Sequence, residues 1–252
     1  MIGPRPRQIG IAWIVIVGLM WSFGCERSQT SPQTEIQVGV HRIAVVPPAG
    51  WLHADHGREH HYQRGRAKIS LVDLGAVDRD GFLEEVVAAR GLLRRGQNED
   101  AVARLFRLRI DRQTFTNPED YQAYVTLWKE ARLSGTSFDS VRLERVYDDL
   151  ILLLEALPKS DVADHVMTAL EEFGYDELRD IASRKPLRFT GRPAIQVDTW
   201  HRLNHEFRKR YLLVLNEGHL LVVHTAYGPF EECEEAFDRI VRSLTFGPVP
   251  AT

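Results

Sequence analysis

Residues 207–227 read FRKRYLLVLNEGHLLVVHTAY, and this stretch decides the fold. Two apolar runs, LLVL at 212–215 and LLVV at 220–223, flank Asn216-Glu217-Gly218. Glycine in so short a connection supplies left-handed backbone, so the spacing predicts a β-hairpin. Neither run alternates apolar with polar. Strands that are apolar on both sides are covered on both sides. The hairpin therefore marks the middle of a sheet with further layers against each face.

Towards the C-terminus, Phe230, Cys233, Phe237, Ile240, Val241 and Leu244 fall on one helical face, which predicts a closing helix over 229–246. Cys233 reads there as a small buried hydrophobe, because Glu231, Glu232, Glu234 and Glu235 around it disfavour a thiolate. Upstream of the hairpin, 187–190 and 194–202 read as strands. Residues 37–46 read as another, stopped by Pro47-Pro48. In 66–74, Ala67, Ile69 and Leu71 alternate with Arg66, Lys68 and Ser70, a half-buried strand.

Between these β regions the period becomes helical, from 78 to 184. Asn117-Pro118-Glu119-Asp120 joins an N-cap, a proline at the first helical position and acids in the first turn. It opens a helix with Tyr121, Tyr124, Val125 and Trp128 on one face. A second runs over 139–157 on Leu143, Val146, Tyr147, Leu150, Leu154 and Leu157. Ser160-Asp161 caps a third, with Gly174 as its stop. Further helices are expected over 81–94, 99–108 and 176–183.

The stretches HRIAVVPPAGW (41–51), GRPAIQVDTW (191–200) and FDRIVRSLTF (237–246), with the hairpin, resemble the PsbP-like α/β/α sandwich family, named for an extrinsic subunit of photosystem II. The resemblance covers about 36–78 and 186–248. It implies an α+β fold with an antiparallel sheet flanked by helices, the last running into the tail Ser243-Leu244-Thr245-Phe246. It carries over no catalytic residues, and it implies binding to other proteins or assembly of complexes. Bacterial members are often lipoproteins. The helical stretch departs from the pattern and reads as an insertion. The expected organisation is a signal peptide over 1–24, a tether over 25–36, a sandwich domain over 37–78 and 186–248, and a helical insertion over 79–185.

The N-terminus carries Arg5 and Arg7 and no acid before the 13-residue apolar run IGIAWIVIVGLMW (9–21). That length suits an export signal and is short for a bilayer-spanning helix. Ser22-Phe23-Gly24-Cys25 follows and resembles a bacterial lipoprotein signal, with cleavage before Cys25 and acylation of its sulfur. An ordinary signal peptide or an uncleaved anchor is the alternative. The polar run RSQTSPQT (27–34) suits a tether. These features place the chain at the cell envelope, facing the periplasm or outside, with the membrane reached through a lipid on Cys25.

Composition excludes several classes. With 32 Lys+Arg against 35 Asp+Glu among 252 residues, the net charge of −3 argues against a nucleic-acid binder. Two cysteines exclude a disulfide scaffold and a four-cysteine zinc module. No G-x-S-x-G elbow and no phosphate-cradling glycine loop occurs. The adjacent carboxylates of the helices do not oppose one another across a cleft as hydrolysis of a glycoside requires.

The histidines are the most suggestive group. Of ten, His53, His56, His60 and His61 fall within nine residues, beside Asp55 and Glu59. Imidazole and carboxylate so grouped are ligands for Zn²⁺ or Cu²⁺, and equally they suit a solvated loop between two strands. His201 and His205 fall in a strand–turn segment, and His224 lies in an apolar strand. On a strand, Arg208 and Arg210 share a face, a contact for an anion or partner. Any exposed face of Tyr121, Tyr124 and Trp128 suits a binding patch. The sequence therefore predicts an envelope-anchored, non-enzymatic module that binds a protein partner or helps assemble a complex, without a cofactor. The alternative is a metal-binding lipoprotein using the histidine loop.

Overall fold

The computed structural model describes residues 32–247 apart from 109, 111, 138, 176–178, 205–206 and 228–229. The signal peptide of 1–24 and Cys25 lie outside the described residues. The elements run β1 (Thr34–Val38), β2 (His41–Val45), β3 (Leu52–Asp55), β4 (Glu59–Arg64), β5 (Ala67–Ala76), α1 (Arg79–Arg94), α2 (Asn98–Arg107), α3 (Pro118–Ser137), α4 (Ser140–Glu155), α5 (Val166–Glu172), β6 (Arg179–Phe189), β7 (Arg192–His201), β8 (Arg208–Asn216), β9 (His219–Tyr227), α6 (Phe230–Ser243) and β10 (Thr245–Phe246). The fold is α+β, with two antiparallel sheets.

The hairpin of β8 and β9 turns through Glu217 and Gly218, with φ of 52° and 77°. Two successive positive φ values make the connection a two-residue turn whose twist matches the strands. The register Asn216↔His219 to Tyr211↔His224 follows from it. In the seven-stranded sheet, ordered β3-β4-β5-β9-β8-β7-β6, the hairpin is central. Leu212, Val214, Leu221 and Val223 point to one face and pack with Phe237 and Ile240 of α6 and Ile36, Val38 and Ile43 of the small sheet. Tyr211, Leu213, Leu215, Leu220 and Val222 point to the other and meet Val162, Val166, Ala169 and Leu170. Both faces are covered, as two non-alternating apolar runs require.

The small sheet, ordered β1-β2-β10, differs from the expected single strand over 37–46. The chain reverses at Gly39, whose φ is 57°. A Cβ there would sit 1.9 Å from Asp73 Oδ2, so only glycine permits this close approach. β1 begins at Thr34, inside the stretch expected as tether, because Ile36 and Val38 alternate inward against the sheet. Of the expected helix over 176–183, residues 176–178 lie outside the described residues and 179–183 are corrected: β6 starts at Arg179 and pairs along its length with β7. Ladder pairing overrides the local preference, as tertiary context commonly does. The helical stretch therefore closes before 179 rather than at 185.

Helices α1 to α4 enclose a core of their own, with Phe82, Val86, Leu105, Tyr124, Leu143, Tyr147, Leu150 and Leu154 inside. Asn117 Oδ1 caps α3 by accepting from Glu119 N at 3.0 Å, as the sequence signal requires. The block meets the sheet at the hairpin turn. Gly218 O accepts from Val77 N at 2.9 Å and from Asp78 N at 3.1 Å. The described residues from Gln33 to Gly247 belong to one compact unit. Among the described residues no helix is long and apolar enough to cross a membrane.

Candidate functional site

The histidine segment is a hairpin rather than the solvated loop expected. β3 pairs with β4 in the register His53↔Tyr62 and Asp55↔His60, which sets those four side chains on one face. His61 pairs with Ala54 and points to the opposite face. Four clustered histidines thus separate into two pairs. His53 stacks on Tyr62 at 4.9 Å and on His60 at 5.2 Å between ring centroids. His53 Nε2 lies 3.1 Å from His60 Nδ1. His60 is buried, and its Nε2 lies 2.7 Å from Gln37 O and 3.1 Å from Asp55 Oδ1. Burial, then the neighbouring His60, pushes the His53 imidazole down. On the other face His56 and His61 have ring centroids 5.2 Å apart. Glu59 beside them bonds Lys68 and Ser70, each at 3.1 Å. Burial pushes the Glu59 carboxyl up, but these two partners outweigh it and hold it below its ordinary range. Among the described residues no three His, Cys, Asp or Glu side chains are grouped to hold a metal ion.

A second polar constellation lies inside the protein, where the small sheet meets the large one. Arg192 Nε donates to Asn216 Oδ1, which turns the Asn216 amide so that Nδ2 donates to His41 Nδ1 at 3.2 Å. The His41 proton therefore sits on Nε2, facing Asp73 Oδ1 across 3.5 Å. Asp73 also accepts from Gly75 N at 2.7 Å and Val40 N at 3.2 Å. Burial pushes the Asp73 carboxyl up, but His41 and these backbone donors outweigh it and hold it below the ordinary range. Phe246 lies edge-on to His41 and under the Arg192 guanidinium, whose carbon is 4.2 Å from the ring centre. His219 stands beside His41 and faces Glu84 Oε2 at 3.5 Å; burial pushes its imidazole down.

This chain joins β2, β5, β7, β8 and β10, and its chemistry is that of a joint. Asp73→Asn is expected to lower stability by about 2 kcal/mol at pH 7, the range for removing a charged hydrogen-bond acceptor. The sign with pH follows from the lowered carboxyl. Its contribution is present above the unfolded value near 4 and disappears as pH falls through the folded one. Urea unfolding of the two proteins should therefore differ at pH 7 and converge only at acid pH, once the folded carboxyl has taken up its proton. A difference that stays constant with pH would refute the charge as its source.

A third arrangement has the look of a nucleophile and base. Ser160 Oγ lies 2.8 Å from His165 Nε2 and 3.2 Å from Asp78 Oδ1. In a triad the carboxylate orients the imidazole, whereas here Asp78 is on the serine. Asp78 Oδ1 also accepts from Arg79 N at 2.7 Å and Ser160 N at 2.9 Å. It caps α1 and clasps the segment after α4 to it. Burial pushes the His165 imidazole down.

Other residues singled out in the sequence fall in structural positions. Tyr124 is buried, and Tyr121 and Trp128 are half-buried in the core of the helical block. Tyr121 and Tyr124 pack on Phe115, and Trp128 on Phe106. Arg210 pairs with Asp198 at 2.7 Å, Glu234 at 2.9 Å and Asp238 at 3.5 Å, tying α6 to the sheet. Arg208 is exposed one pleat away on the same strand. Cys233 is buried, and burial pushes its thiol up. His201 ends β7, and His205 lies outside the described residues.

No family model matches this chain, and no curated protein is significantly similar to it. Among solved structures it is similar to the solution structure of cyanobacterial PsbP (CyanoP) from Synechocystis sp. PCC 6803. The TM-score is 0.40 at 9% identity, covering 88% of this chain and 97% of that one. The likeness is a distant one of fold, and the α+β class rests on the sheets described above.

Proposed function

We propose that this protein is a lipid-tethered, non-enzymatic interaction module of a bacterial cell envelope, meeting a protein partner through its helical block. The observation that carries this reading is apolar surface turned outward on α1 and α4. Val87 is 46% exposed, Leu152 65% and Val141 74%. Val141 and Leu152 are eleven residues apart, three helical turns, and so share a stripe. Ion pairs Arg90–Asp148 and Arg94–Glu144 give α1 and α4 an antiparallel register that sets Val87 next to Leu152. Val87 and Leu152 form an apolar step at one end of this stripe and Val141 stands at the other, with the two ion pairs between them, so a partner laid along α1 and α4 meets apolar and charged side chains in turn.

The polar groups support the same reading. The Asp73–His41–Asn216–Arg192 chain, the Asp78–Ser160–His165 clasp and the Arg210 cluster each bond one element to another. None offers an activated nucleophile to an open cleft. The apolar run of 9–21 and Ser22-Phe23-Gly24-Cys25 support a lipid anchor on Cys25, with the domain facing the periplasm or outside.

The reading is tested by a photo-crosslinking residue at Leu152 in cells that make the protein. A discrete adduct is expected there and not from an equivalent probe at Glu172 of α5. Equal labelling from both positions, or none from either, would contradict it.

A further inference from the structure

The geometry points to a small metal site at the edge of the large sheet, where His53 Nε2 and His60 Nδ1 together chelate a divalent transition-metal cation, Cu²⁺ foremost. The inference is independent of the helical surface. It rests first on distance. The two ring nitrogens are 3.1 Å apart. A cation about 2.0–2.1 Å from each, the usual metal–imidazole length, would subtend an angle of about 100°. That value lies between the tetrahedral and square-planar angles, so neither geometry is excluded by the span.

It rests next on which nitrogen holds the proton. His60 Nε2 faces the carbonyl of Gln37 at 2.7 Å and the carboxylate of Asp55 at 3.1 Å. Both partners only accept, so Nε2 carries the hydrogen and the Nδ1 lone pair turns towards His53. Metal-binding imidazoles are held this way, with the second nitrogen donating to a carbonyl or carboxylate that fixes the tautomer and raises basicity. Without a cation, His53 Nε2–H donates a hydrogen bond to His60 Nδ1. On binding, the cation displaces that hydrogen bond; His53 presents the lone pair of Nε2 by carrying its single proton on Nδ1. No net charge is created on either ring.

Access decides the rest. His60 is buried and its ring is fixed by the Gln37 bond. His53 is exposed on β3, an edge strand of the sheet, so a hydrated cation reaches it from solvent. The remaining coordination positions belong to water, since the described residues group no third ligand. A two-imidazole chelate with open positions favours Cu²⁺ over Zn²⁺, which follows the general order of divalent affinities. His56 and His61 take no part, because they project from the other face of the hairpin.

The test is calorimetric titration of the full-length protein in detergent with Cu²⁺ alone, together with electron paramagnetic resonance of the bound ion. One equivalent should bind, with hyperfine structure from two imidazole nitrogens. His53→Ala should weaken binding at least tenfold, and Asp55→Asn about tenfold as an outer-sphere partner. His56→Ala and His61→Ala should bind as the wild type does. His60→Ala removes a buried ring and can unfold the edge, so exposed His53 is the deciding variant. Failure of the wild type to bind, unchanged affinity in His53→Ala, or loss in His56→Ala or His61→Ala instead would overturn the assignment.

Discussion

Gly218→Ala is expected to destabilise the protein by about 3–5 kcal/mol, among the largest effects of any single methyl group in it. Two costs combine. Gly218 has a φ of 77°, and a side chain in left-handed backbone costs about 1–2 kcal/mol. The methyl would also stand 2.0 Å from Gly81 N and 2.7 Å from Gly81 Cα. Both are backbone atoms of the first turn of α1, so no rotamer relieves the contact. The turn must withdraw from the helix, and the bonds from Val77 N and Asp78 N to Gly218 O are lost with it. Overpacking of this kind adds about 1–3 kcal/mol. The neighbouring substitution Glu217→Gly is a useful opposite. Glu217 is exposed and has a φ of 52°, so its replacement by glycine should be neutral or slightly stabilising. Chemical unfolding measures both. A Gly218→Ala loss under about 1 kcal/mol would mean that the helical block is not seated on the hairpin turn as described.

The second large effect depends on pH. His224 is buried on β9 between Phe173 and Tyr211, with ring centroids at 4.1 and 5.7 Å. Burial, then Lys209, pushes its imidazole down to about 3. In the unfolded chain it titrates near 6.5. Between those values the unfolded state takes up a proton that the folded state refuses. Stability from this group is therefore complete above pH 6.5 and falls with acid by about 1.4 kcal/mol per pH unit. From pH 7 to pH 4 the loss is about 3 kcal/mol. Leucine fits the same apolar surroundings and does not titrate, so His224→Leu should lose about 3 kcal/mol less over that interval. Parallel stability–pH curves for the two proteins would show that His224 is reached by protons in the fold.

The centre of the fold was legible because its signals are local. Leu212 to Leu215 and Leu220 to Val223 leave no polar face, and Asn216-Glu217-Gly218 fits one short turn. Asn117-Pro118 marks the start of a helix by capping chemistry alone. Where the signal was weak, tertiary contacts decided. Ile36 and Val38 are two apolar residues in a polar run, and only the sheet beneath them makes Thr34–Val38 a strand. Residues 179–183 carry no strong preference, and pairing with β7 extends them. The candidate sites follow the same division. The density of histidines from 53 to 61 stood out in sequence. Which of them face each other depends on the register His53↔Tyr62, and a one-residue slip would have exchanged the pairs. The buried chain of Arg192, Asn216, His41 and Asp73 left no trace, because its members come from four strands and no spacing connects them.

The most direct measurement is native electrophoresis of gently solubilised membranes from cells making either the wild type or the double variant Val87→Asp/Leu152→Asp. Both side chains are exposed, so the variant should melt within about 2 °C of the wild type. The wild type is expected to migrate in an assembly larger than itself, and the variant to remain in the membrane fraction but migrate alone. Identical migration of the two, or a wild type found alone, would contradict an interaction module working through α1 and α4.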